Sequence, residues 1–396
     1  MDRYLKILPL VQHVIANLYF ARDPFWIVHA DDYCARTESP YESVIDAEFE
    51  KLGSPSSVHI VFRHGARGQH KQAPCFAHDA QVVYSCSEKT TFNVLASDGQ
   101  PSSPDIVKVF HGNQQSCSQG QLLDIGEGQA RRLGRALVEA YPVFNETMLP
   151  RINLYSTDTQ RTMATLRMVL TTIFPNITSP FRVNTREFIE DFFALNIPSC
   201  NSFVSLRSTF EQSAVYQQTV ASKRYRDCAE LWEQKYGTEL NLKHADDCLL
   251  SAYCADVRLP GNMTIDPTTF GCVMDVSFFL RRRKLGGVPS SAYFHSGQQI
   301  CQIGAFKVFE EFNRSIRNGD VGGLYAIHDE TFVCLLTSLG IWDERWPKYG
   351  EYIAFEKFPD NSVRVLRNGR AVALLSTGWE IPLIKSDEDW KKMCSV

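Results

Sequence analysis

Three short apolar runs in this chain end abruptly on charge. VHIVF (58–62) runs into Arg63-His64-Gly65-Ala66-Arg67, INLYS (152–156) into Thr157-Asp158-Thr159-Gln160-Arg161, and GLYAI (323–327) into His328-Asp329-Glu330. Each run reads as a strand, and each is followed by loop or helix signals. Ligands of open α/β sheets bind beyond the carboxyl ends of the strands. If these strands are neighbours, their tips form one cleft holding Arg63, His64, Arg67, Arg161, His328 and Asp329. Three arginines and two histidines in one cleft require an anionic ligand. Without one, an Arg-His-x-x-Arg cluster at a buried strand end is costly to desolvate. Guanidinium forks match phosphate oxygens, Gly65 lets the backbone come close, and the helix at Arg161 offers its N-terminus to the same anion.

Around these tips the pattern is α/β. GEGQARRLGRALVEAY (126–141) places Leu133, Leu137 and Tyr141 on one helical face, and RTMATLRMVLTTIF (161–174) reads as a helix stopped by Pro175. TFVCLLTSLGI (331–341) reads as a helix. YIAFEKF and SVRVL flank Pro359-Asp360-Asn361 as a hairpin, and AVALL follows a turn at Asn368-Gly369. Residues 75–120 are rich in Ser, Gln, Asp, Gly and Pro and read as a long loop region tied by Cys75, Cys86 and Cys117. Residues 200–284 lack strand–helix alternation and carry polar helical runs with five cysteines. The expected architecture is an α/β core sheet flanked by helices (41–190 and 285–396), an inserted, disulfide-stapled helical cap (191–284) and an N-terminal segment (1–40).

Composition narrows the setting. A chain of 396 residues with 44% hydrophobic content can bury a large core, and its net charge of −4 argues against nucleic-acid partners. It holds 12 cysteines without a CxxC pair, and N-x-S/T sequons at Asn145, Asn176, Asn262 and Asn313. Together these favour disulfides and the secretory pathway. Cys334, on an apolar helix, is also readable as a buried thiol. ILPLVQHVIANLYF (7–20) is interrupted by Gln12, His13 and Asn17, so a signal-anchor and an amphipathic terminal helix both remain open readings.

The residue types assign roles. A neutral histidine with a free ring nitrogen can attack phosphorus, which fits His64. Arg63, Arg67 and Arg161 neutralise the phosphoryl oxygens, and His328 adds a hydrogen bond. Asp329 suits a general acid if its pKa is held high once phosphate is bound. No metal and no cofactor is expected: arginines supply the positive charge, and neither HExxH nor a carboxylate cluster at metal spacing occurs.

RHGAR (63–67) with HDE (328–330), STDTQRT (156–162), GQLLDIGEGQARRLGRALVEAY (120–141) and the block from His328 through Trp346-Pro347-Lys348-Tyr349 resemble the histidine acid phosphatase family, the branch-2 histidine phosphatases. The resemblance spans residues 55–375. It implies a phosphomonoesterase with His64 as the phosphorylated nucleophile, Asp329 as proton donor, and Arg63, Arg67, Arg161 and His328 as phosphate ligands. The family pattern places Pro two residues after the second arginine. Gln69 stands there, which loosens the loop that aims Arg67.

The cap stretch Asp247-Cys248-Leu249-Leu250-Ser251-Ala252-Tyr253-Cys254, with Gly271-Cys272-Val273-Met274-Asp275, resembles members acting on the 2-phosphoxylose of the glycosaminoglycan–protein linkage region. The implied partner is a phosphorylated sugar or proteoglycan linker. The implied place is the Golgi membrane or lumen, with N-terminal anchoring and homodimerisation as accompanying expectations. A broad lysosomal or secreted acid phosphatase and a glycan-binding pseudophosphatase are the alternatives.

Several residues have plainer readings. Glu330 reads as helix-start decoration and Asp329 doubles as a helix cap. RRRK (281–284) reads as a solvated basic patch, with acidic-glycan binding as its functional alternative. Trp342, Trp346 and Tyr349 read as core, as do His59 and His295. His70 and His78 read as loop residues.

Overall fold

The structure is a computed structural model and describes residues 33–35, 53–70, 76, 82–87, 91–93, 107–109, 117–241, 244–286, 294–376, 384 and 386–395. Its centre is β1 (Ser57–Arg63), buried along its whole length. Val58, Ile60 and Phe62 face one apolar cluster, whereas Val61 belongs to the other. A strand covered on both faces reads as a continuous apolar run, and VHIVF does.

β1 lies in a six-stranded sheet with β4 (Ile152–Ser156), β5 (Gly322–Ile327), β6 (Tyr352–Lys357), β7 (Val363–Arg367) and β8 (Arg370–Leu375), in the order β4-β5-β1-β6-β7-β8. β4, β5 and β1 are parallel; β6, β7 and β8 continue antiparallel. A separate two-stranded ladder joins β2 (Thr91–Asn93) to β3 (Val107–Val109), inside the region expected to be loop.

Helices α1 (Asp124–Ala140) and α2 (Gln160–Ile173) cover one face, through Leu133, Leu137, Leu166 and Leu170. The other face meets α8 (Phe294–Arg317) and α9 (Asp329–Ser338), where His59 stacks on Phe312 at 4.8 Å. Between the halves of the core run α3 (Asn201–Ser208), α4 (Ala214–Val220), α5 (Lys223–Tyr236), α6 (Ala245–Ala255) and α7 (Pro267–Lys284), with no strand among the described residues. α10 (Asp387–Cys394) closes the chain.

Among the described residues, five disulfides with both partners described tie this arrangement: Cys34–Cys254, Cys86–Cys117, Cys200–Cys394, Cys228–Cys272 and Cys301–Cys334. Cys34–Cys254 and Cys200–Cys394 close loops of 220 and 194 residues and fasten the cap to segments near both chain ends. In the chain-entropy account, closing loops that long is worth about 5 kcal/mol each. Cys334 is therefore not a buried thiol: it staples α9 to α8, and no described cysteine is free. No helix among the described residues is long and apolar enough to cross a membrane, and the N-terminal run 7–20 lies outside them.

Candidate active site

Sheet register brings the three charged tips together. Arg63 sits opposite Ile327, and Ser156 opposite Ala326. The next residues, His64 and Thr157, donate their backbone N–H groups to the Ile327 and Ala326 carbonyls at 3.2 Å each. His64, Thr157 and His328 thus emerge side by side where three parallel strands end. A cavity of about 560 Å³ opens there, lined from the core by His64, Arg67, Arg161, His328 and Asp329 and from the cap by Asp247, Arg281 and Lys284.

His64 is buried, and its Nδ1 lies 2.8 Å from the Gly65 carbonyl oxygen. A carbonyl can only accept, so Nδ1 carries the hydrogen and Nε2 keeps its lone pair. Burial, then Arg161 and Arg63, hold this imidazole well below the usual histidine range. It stays neutral in mildly acid solution.

The loop that carries His64 is fixed by backbone hydrogen bonds. Gly65 N–H donates to Thr165 Oγ1 at 3.1 Å, and Ala66 N–H donates to Gln129 Oε1 at 2.7 Å. Gln129 Nε2 donates in turn to the Cys34 carbonyl at 2.7 Å. Gly65 and Gly126 are in backbone contact: a Cβ on Gly65 would strike the Gly126 carbonyl, and one on Gly126 would strike the Ala66 carbonyl.

Arg161 Nη2 lies 3.3 Å from His328 Nδ1. A guanidinium can only donate, so His328 carries its hydrogen on Nε2 and donates to Thr157 Oγ1 at 3.0 Å. Thr157 Oγ1 donates onward to Thr162 Oγ1 at 2.9 Å. Burial and Arg161 hold His328 well below its ordinary range. Burial and Arg67 pull Arg161 down to about 9. Arg67, Arg207, Arg281 and Lys284 each have a carboxylate partner at this cavity. Arg161 has no ion pair with a described residue. Its Nε is buried without a hydrogen-bond partner.

Asp329 is the first residue of α9, not its cap; His328 holds the cap position. Asp329 Oδ2 lies 3.1 Å from Arg63 Nη2 and accepts from Trp346 Nε1 at 2.9 Å. Burial raises this carboxyl, but Arg63, Arg281 and the Trp346 hydrogen bond outweigh burial and hold it well below the usual carboxylate range. Arg63 is buried behind it, donating to the Pro347 carbonyl at 2.6 Å and the Tyr33 hydroxyl at 2.7 Å. Its guanidinium packs 4.2 Å from the Tyr349 ring centre.

Several plainer readings are corrected by this geometry. Glu330 is no decoration: it lines the cavity and pairs with Arg207 at 3.0 Å and Lys284 at 3.2 Å. Burial opposes its ionisation, but Lys284 and Arg207 still hold it at about 2. RRRK is not a solvated patch. Arg281 pairs with buried Asp246 and packs 5.7 Å from the Trp346 ring, and Lys284 faces the cavity. Trp346 and Tyr349 are buried, yet both touch site residues. His70 lines the cavity. His78 lies outside the described residues, as does the side chain of His295. Sequence reasoning missed Asp247, Gln129, Gly126 and Tyr33. Only Gly126 and Gln129, in the first turns of α1, carried a local signal.

A neutral imidazole with a free lone pair, facing arginines at the carboxyl ends of parallel strands, is the arrangement of a phosphoryl-transfer enzyme. Residues 56–255 match the histidine phosphatase superfamily (branch 2), and the chain belongs to that family. It is 21% identical over 364 residues to a probable acid phosphatase of Schizosaccharomyces pombe, covering 81% of this chain and 76% of that one. It is 26% identical over 354 residues to the human lysophosphatidic acid phosphatase type 6, covering 81% and 77%. The phytase of Citrobacter braakii shares the fold, with a TM-score of 0.51 at 14% identity over 86% of this chain and 97% of that one. The protein is a phosphatase of the histidine acid phosphatase type.

Proposed function

We propose that this enzyme hydrolyses a phosphomonoester through a phosphohistidine on His64, and that its substrate is a phosphorylated sugar, with 2-phosphoxylose of the glycosaminoglycan–protein linkage region as the leading case. The observation that carries the mechanism is the tautomer of His64, whose Nε2 lone pair is kept free by the Nδ1 bond to Gly65. Nε2 attacks phosphorus in line, the P–O ester bond breaks, and the leaving alkoxide takes a proton from Asp329. Water then attacks the phosphohistidine, giving its proton to Asp329 as the P–N bond breaks and returning His64 to its starting form.

Arg67 and Arg161 hold the phosphoryl oxygens, while His328, whose Nε2–H goes to Thr157 and whose Nδ1 accepts from Arg161, orients Arg161 instead of binding the phosphate as the sequence suggested. Arg63, engaged with Asp329 and Tyr33, acts mainly by orienting the acid. Asp329 starts as a carboxylate. A phosphoryl dianion beside it raises its proton affinity, so the acid form arises with substrate in place.

The sugar reading is supported by the cap sequence 247–254 and 271–275, which resembles that of 2-phosphoxylose phosphatase. The disulfides fit a secretory or lysosomal protein, and Golgi residence follows only from the sugar reading. Asn145 and Asn176 are exposed, as glycan acceptors must be. A second substrate class is favoured by the cavity wall: Phe188, Phe210, Tyr216 and Leu280 give it an apolar side that suits a single-chain phospholipid.

Phosphate release from an aryl phosphate, a phosphoxylose linker tetrasaccharide and a lysophosphatidate, measured between pH 5 and 7, tests these readings. His64→Ala is run beside the parent and is expected to lose at least ~10³-fold in turnover on every substrate. Parent turnover of the aryl phosphate alone would sink the linker assignment, and preference for the lysophosphatidate would replace it. No phosphate release from folded, oxidised parent would leave the pseudophosphatase.

A further inference from the structure

We infer that Asp247 is a positioning residue, a carboxylate of the cap that aims Arg67 at the phosphoryl group. The inference rests on the phosphatase reading above. Asp247 lies in the first turn of α6, within the cap, 180 residues along the chain from Arg67. Its Oδ1 lies 2.6 Å from Arg67 Nη1, and its Oδ2 accepts the His70 backbone N–H at 2.6 Å. One carboxylate thereby grips both ends of the segment 67–70. Both side chains of the pair are mostly buried, at 15% and 14% exposure, so this is not a screened surface contact.

That segment is where Gln69 replaces the proline of the family pattern. A proline would stiffen the loop from within. Here it is fixed from outside: Gly68 N–H donates to the Gln121 carbonyl, Gly120 N–H donates to the Gln69 carbonyl, and Asp247 supplies the side-chain grip. The loose loop expected from the sequence is therefore compensated by the cap.

The grip matters because of what Arg67 faces. Arg67 and Arg161 line the same cavity and repel one another. Asp247 offsets that repulsion while occupying only Nη1, and Arg67 Nε remains buried without a hydrogen-bond partner. Removing the carboxylate frees Arg67 to swing away from its like-charged neighbour, which costs the phosphoryl group an aligned donor. The support of α6 is covalent as well: Cys254 is bonded to Cys34, whose carbonyl accepts from Gln129, the residue that holds Ala66. Both sides of the RHGAR loop thus depend on this cap helix.

The test is a double-mutant cycle read by calorimetric binding of inorganic phosphate, with aryl phosphate kinetics beside it. The proteins are parent, Asp247→Ala, Arg67→Ala and the double variant. Asp247→Ala is expected to weaken phosphate binding and raise KM about 10-fold, with kcat changed less than about 3-fold. In the Arg67→Ala background the same change is expected to do almost nothing. Two results overturn the inference: tighter phosphate binding in Asp247→Ala, which is what mere removal of a nearby negative charge would give, or losses that multiply independently across the cycle. If Asp247→Ala does not fold, Asp247→Asn takes its place in the cycle, and melting curves report the folding of each protein. A folded parent that binds no phosphate would overturn the phosphatase reading itself, and this inference with it.

Discussion

The two walls of the cavity are built in different ways. On the phosphate side, His64, Arg161 and His328 are placed by strand register, a backbone glycine–glycine contact and a relay of threonine hydroxyls next to the strand end. On the cap side, Asp247, Arg281 and Lys284 are placed by side-chain ion pairs, to Arg67, buried Asp246 and Glu330 of α9, on helices that disulfides hold down. The first wall can shift only if the sheet or the loop shifts. The second can be re-paired by single substitutions without touching the fold. Changes on the phosphate side should therefore reduce turnover of every phosphomonoester. Changes on the cap side should act mainly on KM, alike for every phosphomonoester at Asp247, which works through Arg67, and with dependence on the leaving group at Arg281 and Lys284.

Gly126→Ala tests the first half most sharply. Its new methyl would meet the Ala66 carbonyl and the Leu122 side chain, so the RHGAR loop must move. Overpacking of this kind costs about 1–3 kcal/mol of stability. A displacement approaching 1 Å at the nucleophile costs turnover on the order of 10²-fold. Steady-state kinetics on an aryl phosphate and a sugar phosphate should show the same loss on both. A loss confined to one substrate would break the distinction between the walls.

This division also explains what the sequence revealed. The phosphate wall was legible because each element is local: a strand, a charged tip and a helix start written in consecutive residues, at β1, β4 and β5. INLYS became β4 with the expected limits, and Leu133, Leu137 and Tyr141 all point inward. The cap wall was not legible, because its partners are far apart in the chain. Asp247 meets Arg67 across 180 residues, and Lys284 meets Glu330 across 46. Periodicity carries no trace of such pairs. RRRK reads as a surface run until Asp246, Glu330 and Trp346 are seen around it. The same holds for Tyr33, whose hydroxyl reaches Arg63 from the strap that Cys34–Cys254 fastens to the cap.

Trp346→Phe probes the seam between the walls. Trp346 donates to Asp329 on one side and packs 5.5 Å from Phe278 of α7 on the other. Burial raises the Asp329 carboxyl, and Arg63, Arg281 and this indole lower it. Losing the donor leaves burial less opposed, so the carboxyl rises. A stronger hold on the proton keeps the acid form to higher pH, and the alkaline limb of kcat is expected to move upward by up to about 1 unit. A limb that stays put or moves down would mean that Asp329 is not the titrating donor. Because the folded carboxyl is depressed, its contribution to stability is present above its unfolded value and lost as pH falls. The variant should therefore lose part of that contribution near neutrality.

The smallest expected effect lies behind the cavity, in the segment 188–196 that links core to cap. Phe188, Ala194 and Asn196 of this segment line the cavity. Its anchor is Asp191, fully buried, whose Oδ1 accepts from the Tyr155 hydroxyl at 2.8 Å and from Phe193 N–H at 2.9 Å. Its Oδ2 is buried without a hydrogen-bond partner. Burial pushes this carboxyl up to about 7, against the opposing pull of the two hydrogen bonds. The unfolded chain releases the same proton near pH 4, by the ordinary value of about 3.9. Between those values the folded state holds the extra proton, so stability falls as pH rises through that window. Asp191→Asn keeps the Oδ1 acceptor and removes the titration. Its melting temperature should exceed the parent's by about 3 °C at pH 7 and match it near pH 4, as expected for a gain on the order of 1–2 kcal/mol. Equal gains at both pH values would show that packing, and not the buried proton, sets the effect. A loss at pH 7 would show that Asp191 is ionised in the fold, and that the segment is held by charge as the cap wall is.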